Sequence, residues 1–143
     1  MRAGTPADLD VLVELSAEYC AADGHAFDAA TARAGFEPLL RDDRYGIVHL
    51  AEVDGAIDGY GVVTWGWSIE VGGLDVVLDE LYARTRGRGV GTALLRALEA
   101  ACHERGVKRI FLETEAPNAA ARRLYEREGF TADSSIWMAK ELR

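Results

Sequence analysis

The stretch from Leu74 to Thr114 restricts the fold of this chain more than any other part of the sequence. A β-type run over Leu74–Ala83 precedes a strong helical pattern at 90–106, and a second β-type run follows at 107–115. Two strands joined through a helix lie parallel in one sheet and are connected by a right-handed crossover. The stretch therefore predicts a parallel strand pair with its connecting helix.

The flanking segments add further helices and strands. Thr5, Pro6 and Asp8 form a helix-start signature for a helix at about 6–22, and a weaker helical pattern covers about 28–41. Asp54-Gly55 between two β-rich runs predicts a hairpin, with a loop at "SIEVGG". A short helix is predicted at 117–130 and a final strand at 134–142. The predicted order is α-α-β-β-β-α-β-α-β, with a stub strand in front, within a single domain spanning residues 1–143.

Composition narrows the classes of partner. The chain has a net charge of −8, which disfavours nucleic acid and anionic membranes and favours a cationic substrate. No apolar run approaches the roughly 20 residues that span a membrane, and the N-terminus has no apolar signal core. We therefore expect a cytoplasmic protein. The three His and two Cys residues have no ligand spacing, so we expect no metal site.

The densest basic and glycine-rich segment is "RTRGRGVGTALL", from Arg84 to Leu95. It joins a strand to the start of a helix, where unpaired N–H groups and the helix dipole favour phosphate. A P-loop requires a Lys directly after its last glycine, and this segment has none. A dinucleotide fingerprint also fails, because Thr92 occupies the position of its third glycine. The pattern that does fit is R-x-x-G-x-G, formed by Arg86, Gly89 and Gly91.

Two blocks resemble the GNAT superfamily of acetyl-coenzyme A-dependent N-acetyltransferases. The first is "LDELYARTRGRGVGTALLRALEAACHERG", which is similar to the family's pyrophosphate-binding motif. The second is "LETEAPNAAARRLYEREGF", in which the spacing from Asn118 to Tyr125 to Gly129-Phe130 matches the family. The resemblance implies an α+β fold with a mixed, splayed β-sheet flanked by helices. The pantetheine arm of acetyl-CoA would enter the gap where two strands separate.

The resemblance also implies which residues bind acetyl-CoA. The backbone of three residues on the strand would bond the pantetheine amides, and the loop N–H groups would hold the pyrophosphate. Arg84 and Arg88 would contact the outer phosphates, and Asn118 would contact the cofactor arm near the thioester. The full expected set is Leu81, Tyr82, Ala83, Arg84, Arg86, Gly87, Arg88, Gly89, Val90, Gly91, Thr92 and Asn118.

Acetyl transfer to an amine needs a group that takes the amine proton and an acid for the leaving thiolate. Tyr125 is the candidate acid, because the family tyrosine at this position usually has that role and a phenol has a suitable pKa. Glu80 is the candidate base, with an ordered-water relay as the alternative. On a two-residue period Glu80 and Tyr82 share one face of their strand with Val76 and Leu78, so burial is expected to raise the pKa of this carboxyl.

The acceptor remains open at this point. Trp65, Trp67 and Glu70 are candidates for its binding site. The leading hypothesis is transfer of the acetyl group to a primary amine, a small cationic one, by direct attack in a ternary complex. The alternatives are acetylation of a protein or peptide N-terminus or lysine, and a non-catalytic acetyl-CoA-binding sensor. Family members are often dimers through sheet edges or last strands, so a homodimer is a further expectation.

Overall fold

The computed structural model describes residues 1–115 and 117–142, and the chain divides into two compact units, one up to Leu112 and one from Glu113 onward. The elements of the first unit are β1 (Arg2–Ala3), α1 (Leu9–Asp23), α2 (Ala29–Arg41), β2 (Gly46–Val53), β3 (Ala56–Thr64), β4 (Trp67–Ser68), β5 (Gly73–Ala83), α3 (Val90–Glu104) and β6 (Arg109–Phe111). The second unit contains α4 (Ala119–Arg127). The α+β class and the predicted helix order are confirmed.

The sheet of the first unit is mixed and opens at one end. β1, β2, β3 and β5 are antiparallel neighbours in that order, and β4 pairs with the start of β5. β6 pairs with β5 in parallel, which confirms the predicted strand–helix–strand unit, but it pairs only with Asp75, Val76 and Val77. Beyond Val77, the side of β5 that faces away from β3 has no strand partner among the described residues. This is the splayed arrangement that the family resemblance predicts.

The helices begin where their sequences provide caps. Asp8 closes a short 3-10 turn before α1, and its carboxylate accepts the Thr5 N–H at 2.8 Å. Asp28 caps α2 by accepting the Thr31 N–H at 3.0 Å. Such caps satisfy N–H groups that have no intrahelical partner. The predicted starts at about 6 and 28 are thus confirmed, and α2 continues through Pro38.

Both faces of the sheet are covered. On one face, α1 and α2 pack Leu12, Leu15 and Leu40 against Leu50 and Tyr60, all of them buried. On the opposite face, α3 packs Val90 and Leu94 against Ala51 of β2. A glycine in β3 allows this close approach, because a Cβ at Gly61 would lie 2.6 Å from the side chain of Leu98. None of the helices in the described residues has the length and apolarity needed to span a membrane.

The turn or loop predicted at "SIEVGG" is confirmed over residues 69–72, while its first residue, Ser68, ends β4 and its last residue, Gly73, begins β5. One other prediction is wrong. The final strand predicted at 134–142 does not form, and these residues have neither helix nor strand in the structure. The segment contains residue types that are common in strands, such as Ile136 and Trp137, but a strand also needs a neighbouring strand for its backbone hydrogen bonds. Within the described part of the chain no strand pairs with them, and Ile136 and Met138 are 86% and 91% exposed.

Candidate active site

The glycine–arginine segment joins the end of β5 to the start of α3, as the sequence predicts. Gly89 stands immediately before the helix with a φ of 75°, and Gly87 has a φ of 77°. Both values lie in the left-handed region, which residues with a Cβ rarely adopt. Apart from the adjoining residues, no heavy atom of residues 1–115 and 117–142 lies within 4 Å of the position that a Cβ would take at either glycine. The backbone is therefore open to close approach by a ligand.

The N–H groups from Arg86 to Thr92 are free to bind such a ligand. In residues 1–115 and 117–142 none of them donates a hydrogen bond, and the first backbone bond after them runs from Ala93 N to Gly89 O at 3.0 Å. Successive free N–H groups at the positive end of a helix dipole attract an anion. The donor set therefore fits a pyrophosphate group.

Asp58 holds the start of this loop. It is the extra residue of a β-bulge in β3, opposite the step from Ala51 to Glu52 in β2. Its buried carboxylate accepts the Thr85 hydroxyl at 2.7 Å and the Thr85 N–H at 3.3 Å. Its carbonyl oxygen accepts the Arg84 N–H at 2.7 Å. Sequence reasoning missed Asp58, because an aspartate near a hairpin turn carries no signal of a contact 27 residues away.

The three arginines of the segment differ in their surroundings. The Arg84 guanidinium donates to both carboxylate oxygens of Glu18 on α1, at 3.0 and 2.6 Å, and Glu14 lies 3.7 Å away. Arg86 and Arg88 are exposed beside the open glycines. Arg84 thus ties α1 to the end of β5, while Arg86 and Arg88 extend into solvent. The phosphate-binding role predicted for the three arginines stays a prediction.

The open edge of β5 includes the three residues that the resemblance assigns to pantetheine. Leu81, Tyr82 and Ala83 pair with Gly61, Tyr60 and Gly59 of β3 on one side. On the other side, the described residues provide no strand partner. Alternate N–H and C=O groups of an unpaired strand edge can bond an extended, amide-containing chain. The edge therefore has the donors and acceptors that a pantetheine arm requires.

Glu80 lies on the opposite face of β5 from Leu78. Val62 of β3 pairs with Glu80, whereas its neighbour Val63 pairs with Leu78, which leaves Asp79 as an extra residue in β5. Paired residues of antiparallel strands share a face, so this bulge reverses the alternation. The prediction that Val76, Leu78, Glu80 and Tyr82 share one face of β5 is therefore wrong. Glu80 and Tyr82 face α1 and α2, and Leu78 faces the other side of the sheet.

Tyr60 binds the candidate base directly. Its hydroxyl donates to Oε1 of Glu80 at 2.6 Å, and its side chain is fully buried. Burial raises the pKa of Glu80, the bond from Tyr60 opposes that rise, and the charge of Asp79 adds to it. The pKa of Glu80 thus lies above its ordinary value, as the sequence predicted, although the apolar neighbours are not those expected. Tyr60 was missed because cross-strand register has no local sequence signal.

The second unit contains Asn118 and Tyr125. Asn118 caps α4, and its Oδ1 accepts the Ala121 N–H at 3.1 Å. The ring of the half-buried Tyr125 lies 5.7 Å from that of Phe130, edge to face. The helix start and the aromatic pair agree with the motif. The roles of Asn118 at the cofactor arm and of Tyr125 as the acid stay predictions.

The three candidate acceptor residues lie toward the other end of β5. Trp65 donates its indole N–H to the Asp43 carbonyl at 2.8 Å. Trp67 is 74% exposed and pairs with Leu74, and Glu70 lies 3.6 Å from Arg109. The rung that holds Trp67 is roughly 15–20 Å along the strand from Glu80. A single short alkylamine cannot reach both places, so the predicted role requires a longer acceptor.

Comparisons with known proteins agree with this geometry. The family model described as "Acetyltransferase (GNAT) family" matches residues 10–130. The "Uncharacterized N-acetyltransferase YycN" of Bacillus subtilis is 37% identical over 62 residues, which are 43% of this chain and 39% of that protein. Matches of this kind cover 39% to 52% of the length of the curated relatives, so the chain spans about half of them or less.

Solved structures resemble the whole chain. An integron cassette protein from the mobile metagenome of Cole Harbour Salt Marsh has a TM-score of 0.88 and 30% identity, covering 99% of this chain and 90% of that one. The ribosomal-protein-alanine N-acetyltransferase of Brucella melitensis biovar Abortus 2308 has a TM-score of 0.79 and 25% identity, with 98% and 96% covered.

Proposed function

Because the chain belongs to the acetyltransferase (GNAT) family, we propose that it moves the acetyl group of acetyl-CoA to a primary amine by direct attack in a ternary complex. The observation that carries this proposal comes from the first unit: a β5 edge that has no strand partner in the described part of the chain lies next to an open, glycine-bounded helix start. The first feature suits an amide-containing arm, and the second suits a pyrophosphate.

The residues of this chain have distinct tasks in the reaction. Acetyl-CoA, when bound, supplies a thioester whose C–S bond breaks as the amine nitrogen forms the new C–N bond. Glu80 takes a proton from the acceptor ammonium, directly or through an ordered water, and so frees the nitrogen lone pair. Tyr125 donates a proton to the departing sulfur and recovers one from the nitrogen as the amide forms. The products are the N-acetylated amine and the free thiol.

The acceptor that we propose is a small cationic amine. The net charge of −8 and the carboxylate of Glu80 support a cation at this site. An acceptor with a second polar group roughly 15–20 Å from the reacting nitrogen would also reach Trp65, Trp67 and Glu70.

The family model spans residues from both compact units, which supports a single N-acetyltransferase domain over 1–143. A homodimer stays a prediction.

One observation favours a second acceptor class. The Brucella protein whose structure resembles this chain is described as a ribosomal-protein-alanine N-acetyltransferase. A protein N-terminus is also a primary amine, so the same carboxylate could take its proton and the same thioester would supply the acetyl group. Acetylation of a protein or peptide N-terminus or of lysine is therefore the alternative.

The test is a turnover screen across polyamines, aminoglycosides, amino acids and peptides, read by thiol release from acetyl-CoA. We expect amine-dependent release with cationic small molecules, abolished by boiling and greatly reduced in Glu80→Gln. Release with peptides alone would select the alternative. Tight acetyl-CoA binding without turnover on any acceptor would instead indicate a sensor module and refute the catalytic proposal.

A further inference from the structure

The Tyr60–Glu80 pair joins a fully buried hydroxyl to a half-buried carboxylate on β5. Tyr60 lies in β3 at 0% exposure, and the two oxygens are 2.6 Å apart. Its ring is held by Phe36, with centroids 5.8 Å apart, and by Tyr82, with centroids 6.3 Å apart. The hydroxyl therefore has a fixed direction, and it points at one oxygen of the candidate base.

The neighbours of the pair come from every element packed against it. They are Ser16, Tyr19 and Cys20 of α1, Phe36 of α2, and Asp79 and Tyr82 of β5. Among the described residues no cation stabilises the Glu80 carboxylate, and the only group that lowers its pKa is the Tyr60 hydroxyl. Arg84 lies just after the end of β5, and its guanidinium binds the carboxylate of Glu18.

We propose that Tyr60 is a positioning residue for acetyl transfer: its hydroxyl fixes the Glu80 carboxylate through Oε1 and leaves Oε2 to receive the acceptor's proton. The proposal rests on the proposed function, since it assigns Glu80 as the base. Tyr60 touches neither the acceptor nor the thioester and acts through Glu80.

A half-buried carboxylate such as that of Glu80 needs this partner for two reasons. Removal from water favours the protonated form, which cannot accept a proton, so a donor to the ionised form is needed to keep the base active. A fixed donor also restricts rotation of the carboxylate, so that its second oxygen keeps one direction. Burial raises the pKa of Tyr60 itself, so this hydroxyl stays protonated and remains a donor throughout the working pH range.

The first experiment is the pH profile of kcat/KM for the amine in the wild type and in Tyr60→Phe. The variant keeps the ring and loses only the donor. We expect the acidic limb to move to higher pH by about one to two units, because a bond to a charged group is lost. The KM for acetyl-CoA should stay the same. Tyr45→Phe removes a phenol that is 58% exposed on the surface and should leave the profile unchanged.

A second measurement does not depend on turnover. In the apo wild type labelled with ¹³C at Glu and Tyr side chains, the Glu80 carboxyl signal is assigned with Glu80→Gln and titrated. The Cζ signal of Tyr60 should move with the same midpoint, and the Glu80 midpoint should rise in Tyr60→Phe. The first half of this measurement does not use Tyr60→Phe, so it holds even if that variant does not fold.

The outcomes separate the two proposals. If the wild type turns over no amine but the coupled titration is seen, the proposed function fails while the Tyr60–Glu80 coupling stands. If the enzyme is active and Tyr60→Phe has the wild-type acidic limb, the positioning role is overturned. The positioning role is also overturned if the Tyr60 Cζ signal does not change as Glu80 titrates.

Discussion

Replacing Gly89 by Asp tests whether the glycine loop binds the pyrophosphate. The residue has a φ of 75°, so any side chain here costs about 1 kcal/mol of folding stability. The site itself has room, because no heavy atom of the described residues, the chain neighbours apart, lies within 4 Å of the added Cβ. Gly89→Asn is the matched control: Asn has the shape of Asp, tolerates the left-handed region equally well and carries no charge.

The charge term sets the expected magnitude. Two unit charges about 4 Å apart near a protein surface interact by about 4 kcal/mol, and each 1.4 kcal/mol is a tenfold change in affinity. Even if salt screens half of one such repulsion, acetyl-CoA should bind Gly89→Asp about 30-fold more weakly than Gly89→Asn. The difference in acetyl-CoA affinity between the two variants should decrease as salt is added, because salt screens the charge repulsion.

Isothermal titration with acetyl-CoA at two salt concentrations measures this difference, and thermal melting checks that the two variants are equally folded. Equal affinities for the Asp and Asn variants would refute the placement of the pyrophosphate at this loop. A loss of affinity in both variants without a charge effect would indicate that backbone geometry, and not anion binding, is what Gly89 provides.

Three further predictions follow from single contacts. Tyr125→Phe should keep acetyl-CoA binding and lower kcat about 10- to 1000-fold, measured by thiol release; an unchanged kcat would remove Tyr125 as the acid. Asp58→Asn should raise the KM for acetyl-CoA several-fold with little effect on the KM for the amine, because the contacts from Asp58 to Thr85 weaken. An unchanged KM for acetyl-CoA would show that the loop keeps its conformation without the Asp58 carboxylate. The Arg2 guanidinium, with help from Thr5, lowers the pKa of Asp8 from 3.8 to about 2, so this group contributes up to about 2 kcal/mol above pH 4 that is lost as pH falls toward 2. Denaturant unfolding of Asp8→Asn should therefore show a shallower loss of stability across that interval, and the same slope as the wild type would contradict it.

The geometry of the glycine–arginine loop could be predicted because its residues are consecutive in the chain. The glycines and arginines of 84–92 and the helix that follows are adjacent in the chain, so local rules on positive φ, helix ends and dipoles apply directly. The Asn118 cap and the pairing of Tyr125 with Phe130 are local for the same reason. The predicted strand at 134–142 was wrong because strand formation depends on a partner elsewhere in the chain.

The surroundings of Glu80, the candidate base, depended on strand register. Glu80 could be selected from its residue type and its place in a motif, but its face could not. One extra residue, Asp79, turns Glu80 toward α1 and α2 and away from the side of Leu78. The same register places Tyr60 within 2.6 Å of it, 20 residues earlier in the chain.

The sequence by itself determined the order of the helices and the position of the open helix start, because both follow from periodicity, caps and glycines within a few neighbouring residues. The class of fold followed from the resemblance of two sequence blocks to a known family. The tertiary structure alone decided which partners the charged groups have: Glu18 for Arg84, Thr85 for Asp58 and Tyr60 for Glu80. These pairs join residues 20 or more positions apart through strand register and two bulges. Neither a local pattern nor a propensity encodes such a pairing, since it is set by how whole strands align against one another.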